Sequence, residues 1–206
     1  MDKTRIAVLV SGGGTNLQAL IDAQKSGVLK SGEIVLVISN NAIAYALTRA
    51  AEAGIPTLTV TKKDCGGQEP FEDALIAALE EYRIDLIVLA GFMSILSERF
   101  TSRFERRIIN VHPSLIPSFC GKGFYGLKVH EAALAYGVKV TGATVHFVNE
   151  IPDGGRIILQ KAVNILPDDT PQSLQKRVME RAEWVILPEA AELVSSQIQK
   201  EKEYRQ

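Results

Sequence analysis

The chain has 206 residues, 46% of them hydrophobic, with 23 basic and 24 acidic side chains and a formal net charge of -1. That length suits one domain able to bury its own core without disulfide or metal staples, and the charge balance excludes a generally basic nucleic-acid binder. Cys65 and Cys120 form no C-x-x-C pair, no apolar run nears the ~18 residues of a membrane span, and no signal-like segment opens the chain, so a cytoplasmic, non-membrane protein is expected.

Residues 6–10 read as a short buried strand that ends in Ser11-Gly12-Gly13-Gly14. From Thr15 the spacing turns helical through Leu17, Leu20 and Ile21, with Gly27 as the stop. The alternation repeats: strand over 34–38, helix over 42–53 closed by Gly54, strand over 57–60, helix over 71–82, strands over 86–90 and 108–111. Strands that alternate with helices of this length predict parallel pairing through right-handed crossovers. After Gly137 two β-rich runs, 138–148 and 156–163, flank residues 149–155 and predict a long antiparallel hairpin. Pro171 opens a last helix through about 195, and a polar tail over 199–206 is expected to fray. The whole chain, 1–206, reads as one α/β domain with a mostly parallel twisted sheet.

In such a sheet ligands gather beyond the carboxyl ends of the strands, where the strand order reverses. S-G-G-G-T-N at 11–16 lies between a strand and a helix, where glycines let backbone N–H groups approach an anion. It is neither a Walker A loop nor a dinucleotide fingerprint; a phosphate site is the favoured expectation and a tight turn with Thr15 as helix cap the alternative. In I-N-V-H-P-S, Asn110 and His112 project from one side of a strand end, and Pro113 restricts the backbone of His112. An amide beside an imidazole suits an oxygen that gains negative charge, or else His112 merely bonds a backbone carbonyl. Asp153-Gly154-Gly155 is an ordinary turn unless the hairpin brings Asp153 to His112, where its charge would favour the imidazolium. His130 and His146 lack ligand spacing, so no metal site is expected. Residues 90–96 form an apolar junction able to line a slot for a flat ring, or simply to pack the core. Arg99, Arg103, Arg106 and Arg107, broken by Glu98 and Glu105, read as a solvated face.

Taken in order, S-G-G-G-T-N, L-A-G-F-M-S-I-L, I-I-N-V-H-P-S-L-I-P and V-H-F-V-N-E-I-P-D-G-G resemble the phosphoribosylglycinamide formyltransferase family over about residues 5–193. The resemblance implies its Rossmann-like formyltransferase fold, a phosphate-binding half over about 1–105 and a catalytic half over about 106–198. It also implies 10-formyltetrahydrofolate as cosubstrate and a phosphoribosyl glycinamide as acceptor, in a monomer or weak homodimer. Position by position, it implies Asn110, His112 and Asp153 as the catalytic trio. Gly14, Thr15 and Asn16 fall on the phosphate site, and Glu183 on the acid that holds the glycinamide substrate. Met93, Ser94, Ile95 and Leu96, with Gln68 and Asn110, fall on the folate site. Ser94 and Gln68 stand where the family carries arginine, Trp184 where histidine is common, and the 120–126 loop is long, with Lys122 and Lys128 as candidate phosphate contacts. Methionyl-tRNA or amino-sugar formyltransferases share the trio in longer chains. A phospho-sugar sensor would not require the trio, and a nicotinamide dehydrogenase would require the missing glycine pattern.

Overall fold

The computed structural model describes residues 2–204. Strand β1 (Thr4–Val10) turns the alternation of its sequence into two cores. Ile6, Val8 and Val10 face one side of the sheet, Ala7 and Leu9 the other, and all five are fully buried. The first side packs under α1 (Thr15–Ser26) and the C-terminal helix α8 (Trp184–Glu203), which contributes Ile186, Leu187 and Val194. The second side meets Leu36 and Ile38 of β2 (Gly32–Ser39) together with Phe71 and Leu75 of α4 (Gln68–Glu81). Burial on both faces is why the central strands are continuous apolar runs.

Strands β1, β2, β3 (Thr57–Thr59), β4 (Leu86–Leu89) and β5 (Ile108–His112) pair in parallel. The hairpin strands β6 (Val140–Phe147) and β7 (Ile157–Asn164) add antiparallel to β5, giving the order β3-β2-β1-β4-β5-β6-β7. The expected α/β architecture is present, and the winding reverses between β1 and β4. The turns after β1 and β4 and the end of β5 open onto that crevice.

Several boundaries differ from the expected ones, each for a local reason. The helix expected over 42–53 is α2 (Tyr45–Glu52), because the Asn41 side chain accepts from Ile43 N (3.2 Å) and holds its approach in a turn. Helix α4 starts at Gln68, since Pro70 sits in the first turn, where its missing N–H is not needed. Thr15 is not the cap of α1; Gly14 occupies that position with φ 73°. Three further helices complete the connections: α3 (Lys62–Cys65) and α5 (Glu98–Arg103) in parallel crossovers, and α6 (Leu127–Tyr136) between β5 and antiparallel β6.

The last helix is interrupted. Helix α7 (Pro171–Val178), capped by Thr170 and Ser173, runs through a π-helical turn, Met179–Glu183, into α8. The tail expected from 199 to fray is helical as far as Glu203. Gln199 Nε2 donates to Asp2 O (3.2 Å) and Ser31 O (3.1 Å), Lys202 pairs with Asp85, and Glu201 pairs with Arg107. Arg205 and Gln206 of that tail lie outside the described residues. Among the described residues no helix is long and apolar enough to cross a membrane.

Candidate active site

Strand β5 delivers two side chains to the crevice. Asn110 and His112, two residues apart, share a face and lie opposite His146 and Thr144 of β6. The hairpin turn then brings in Asp153, in the left-handed region at φ 57°. Gly155 makes that turn possible, because a Cβ there would overlap the Phe147 carbonyl. Asp153 Oδ2 lies 3.4 Å from His112 Nδ1 and accepts from Gly121 N (2.8 Å); its Oδ1 lies 3.6 Å from His146 Nε2. The trio expected from sequence is therefore assembled in space.

His112 is buried, and its Nε2–H donates to Phe119 O (2.9 Å) while Nδ1 faces Asp153. Burial lowers its pKa most; Asp153 and the Phe119 carbonyl oppose this without reversing it. The expectation that Asp153 would hold His112 charged is thus only half met: the carboxylate favours the imidazolium, but burial leaves the pKa below its ordinary value of 6.5. Burial would by itself raise the Asp153 pKa, yet His146, His112 and Gly121 N hold it below the usual carboxylate value.

His146, set aside in the sequence, belongs to this cluster. Its Nδ1–H donates to Phe147 O (2.8 Å), and its Nε2 stands between Asn110 Nδ2 (3.2 Å) and Asp153 Oδ1 (3.6 Å). The signal was its place in the alternation of β6, which puts it directly across from Asn110. His130 stays outside the cluster, buried in α6 with its pKa pushed down to about 4 by burial and by His112.

The segment after β4 forms the adjoining wall. Phe92, Ile95, Leu96, Val148 and Pro152 line a cleft floored by Asn110, His146 and Asp153, apolar walls around a few polar groups. Ser94 Oγ accepts from Asn40 Nδ2 (2.7 Å), and Gln68 Nε2 donates to Ile95 O (3.1 Å). Met93 and Ile95 are 58% and 72% exposed, so polar pins hold this segment more than packing does. Met93 N donates to Ser11 Oγ (2.8 Å), which joins this wall to the glycine-rich turn.

In that turn Gly12 and Gly13 face open space, whereas a Cβ on Gly14 would sit 2.6 Å from Ala46 Cβ. Gly14 therefore packs on α2, and Gly12 and Gly13 hold the open backbone. Asn16 Nδ2 donates to Glu183 Oε2 (2.8 Å), and Asn16 Oδ1 is buried without a partner among the described residues. The π-turn sets Glu183 inward, where burial raises its pKa against the opposing bond from Asn16. A cavity of about 580 Å³ continues from Thr15 between α1 and α8, past Trp184 and Arg49. Lys128 Nζ donates to Tyr125 Oη (3.0 Å).

With this geometry in place, the chain matches the family described as formyl transferase over residues 4–191. The chain belongs to the formyl transferase family. It is 45% identical over 184 residues to the phosphoribosylglycinamide formyltransferase of Haemophilus influenzae, covering 89% of this chain and 84% of that protein. It is also 47% identical over 194 residues to the trifunctional purine biosynthetic protein adenosine-3 of Homo sapiens, which covers 94% of this chain but 18% of that protein. The chain thus spans under a fifth of the trifunctional animal relatives it matches. Among solved structures, glycinamide ribonucleotide transformylase 1 from Symbiobacterium toebii superposes on this formyl transferase with a TM-score of 0.88 and 42% identity, covering 95% of this chain and 89% of that one.

Proposed function

We propose that the chain transfers the formyl group of 10-formyltetrahydrofolate to the amine of N1-(5-phospho-D-ribosyl)glycinamide, giving formylglycinamide ribonucleotide for purine synthesis. One observation carries the reading: a single carboxylate, Asp153, faces both His112 and His146, while Asn110 stands beside them at the floor of an apolar cleft. The cleft walls fit a flat pteridine, with Gln68 and residues 93–96 along its edge. The open backbone of Gly12 and Gly13, with Thr15 and Asn16 at the start of α1, suits a phosphate. The buried, unpartnered Asn16 Oδ1 and the carboxylate of Glu183 call for donors, which sugar hydroxyls and the glycinamide nitrogens supply.

In this reading the acceptor amine attacks the formyl carbon directly, a water relays one of its protons to the folate nitrogen as the C–N bond to the folate breaks, and no covalent enzyme intermediate forms. Asn110 Nδ2 and His112 Nε2–H supply hydrogen bonds to the oxyanion, each worth ~3 kcal/mol in comparable sites. Both groups have partners within the protein, the His146 ring and the Phe119 carbonyl. The formyl oxygen therefore replaces one acceptor with another. As its charge grows it offsets the burial that disfavours the imidazolium, and Asp153 on the far nitrogen stabilises the proton there. We place the reaction in the cytoplasm, carried out by a monomer or weak homodimer on small-molecule substrates.

The test is an assay of purified protein with both substrates, following deformylation of the folate by absorbance. Deformylation that depends on the ribonucleotide amine supports the reading. Binding of both compounds without turnover would replace it with a sensor.

A further inference from the structure

Glu72 is a carboxylate that this chemistry leaves idle. It lies on α4 between residues of the apolar core and is fully buried, a costly place for a charge unless its acceptor sites are filled. They are filled by donors from two places. Oε1 accepts from Gln68 Nε2 (2.5 Å) and from Ser97 N (2.7 Å), and Oε2 accepts from Ser97 Oγ (2.5 Å). Arg99, half exposed, stands 3.9 Å from Oε2. Ser97 closes the 93–97 segment and caps α5, its Oγ accepting from Phe100 N (3.3 Å). The Gln68 amide that meets Glu72 also holds Ile95 O. One buried carboxylate thus gathers the carbonyl of residue 95, through Gln68, and the amide and hydroxyl of residue 97.

We propose that Glu72 is a positioning residue for the formyl donor: it fixes the backbone over 95–97 so that Ile95 and Leu96 form the cleft wall above Asn110 and His146. The proposal rests on the assignment of residues 93–96 to the folate. Glu72 sets how tightly the donor is held and touches no reacting atom. Its role requires an acceptor at Oε1, because the Gln68 amide and the Ser97 N–H only donate. Glu72→Gln keeps the shape and can turn its amide toward Ser97 Oγ, whose lone pairs accept, so what the variant loses is the charge that strengthens all three bonds.

The experiment is steady-state kinetics of Glu72→Gln against wild type, with each substrate varied in turn. The KM for 10-formyltetrahydrofolate should rise by about tenfold, with kcat at saturating donor within about threefold and the ribonucleotide KM unchanged. A purely structural role would lower the active fraction, hence kcat, and leave the donor KM alone; that result overturns the proposal. So does an equal rise in both KM values. If Glu72→Gln does not fold, Ser97→Ala, which removes the Oγ bonds to Glu72 and Phe100 N and leaves the Ser97 N–H on Glu72, carries the test. It should raise the donor KM by about threefold, and an unchanged value overturns the proposal. Wild-type protein that does not use the donor overturns the folate assignment and the proposal together. Wild-type protein that does, beside variants with unchanged donor KM, overturns the proposal alone.

Discussion

At the scale of single residues, the informative group is the imidazole of His112, with a carbonyl on one nitrogen and a carboxylate near the other. Both neighbours accept, so the surroundings fit two protons, while burial opposes the second. Asp153→Asn separates these effects. Asparagine tolerates the left-handed backbone at φ 57°, so the turn survives and the charge alone is lost. The His112 pKa, already below 6.5, should fall further, and kcat should drop by ~10²-fold or more, with small changes in either KM. A titration of His112 by NMR that is identical in both proteins would break the link. Stability follows the carboxylate. A folded-state pKa below the unfolded one stabilises the protein above the unfolded value, near 4, and that contribution disappears as pH falls through the folded value. In urea unfolding the variant should therefore be the less stable at neutral pH, and the difference should shrink on acidification.

At the scale of elements, the glycine-rich turn shows that neighbouring glycines can have unlike tasks. Gly14→Ala drives a methyl into Ala46 at a positive φ and should lower the melting temperature and expression yield. Gly13→Ala has room and should fold normally, yet raise the ribonucleotide KM by roughly tenfold and leave the donor KM unchanged. A Gly13→Ala protein with unaltered ribonucleotide KM would remove this turn from phosphate binding. In the sequence the two positions look alike, because glycine advertises freedom without saying what uses it. Short β-rich apolar runs ended by turn residues made β1 and β5 legible, and the two-residue spacing of Asn110 and His112 gave their shared face. The partnership of Asp153 with them was a conditional expectation, decided by how the hairpin folds. His146 was passed over because it matches no ligand spacing, although its register with Asn110 follows once β6 pairs with β5. The π-turn could not be read, since apolar spacing counts residues per face and hardly registers one widened turn. Glu72 was hidden for a related reason: a carboxylate in an amphipathic helix reads as surface until its partners on another segment are known.

At the scale of the whole molecule, stability and chemistry sit at opposite ends of the sheet. The crevice lies at the carboxyl ends of the strands, whereas Gln199 ties α8 to Asp2 and Ser31 at the amino ends of β1 and β2. Removal of residues 199–206 keeps Ile198 in the core but deletes those bonds and the Lys202–Asp85 pair. It should cost about 1–3 kcal/mol in urea unfolding, most of it from the paired backbone carbonyls, since exposed ion pairs contribute little. Both KM values and kcat should stay within about twofold at a temperature where the shortened protein is folded. The chain also carries a single tryptophan, and the fold sets it immediately after Glu183, at the junction of the π-turn and α8. The indole N–H of Trp184 has no partner among the described residues, and its ring borders the cavity that begins at Thr15. All indole emission from the molecule therefore originates next to Glu183 and the cavity that begins at Thr15, beside the residues assigned to the ribonucleotide. Its wavelength and quenching would make the protein its own optical gauge of acceptor binding, readable without label or turnover.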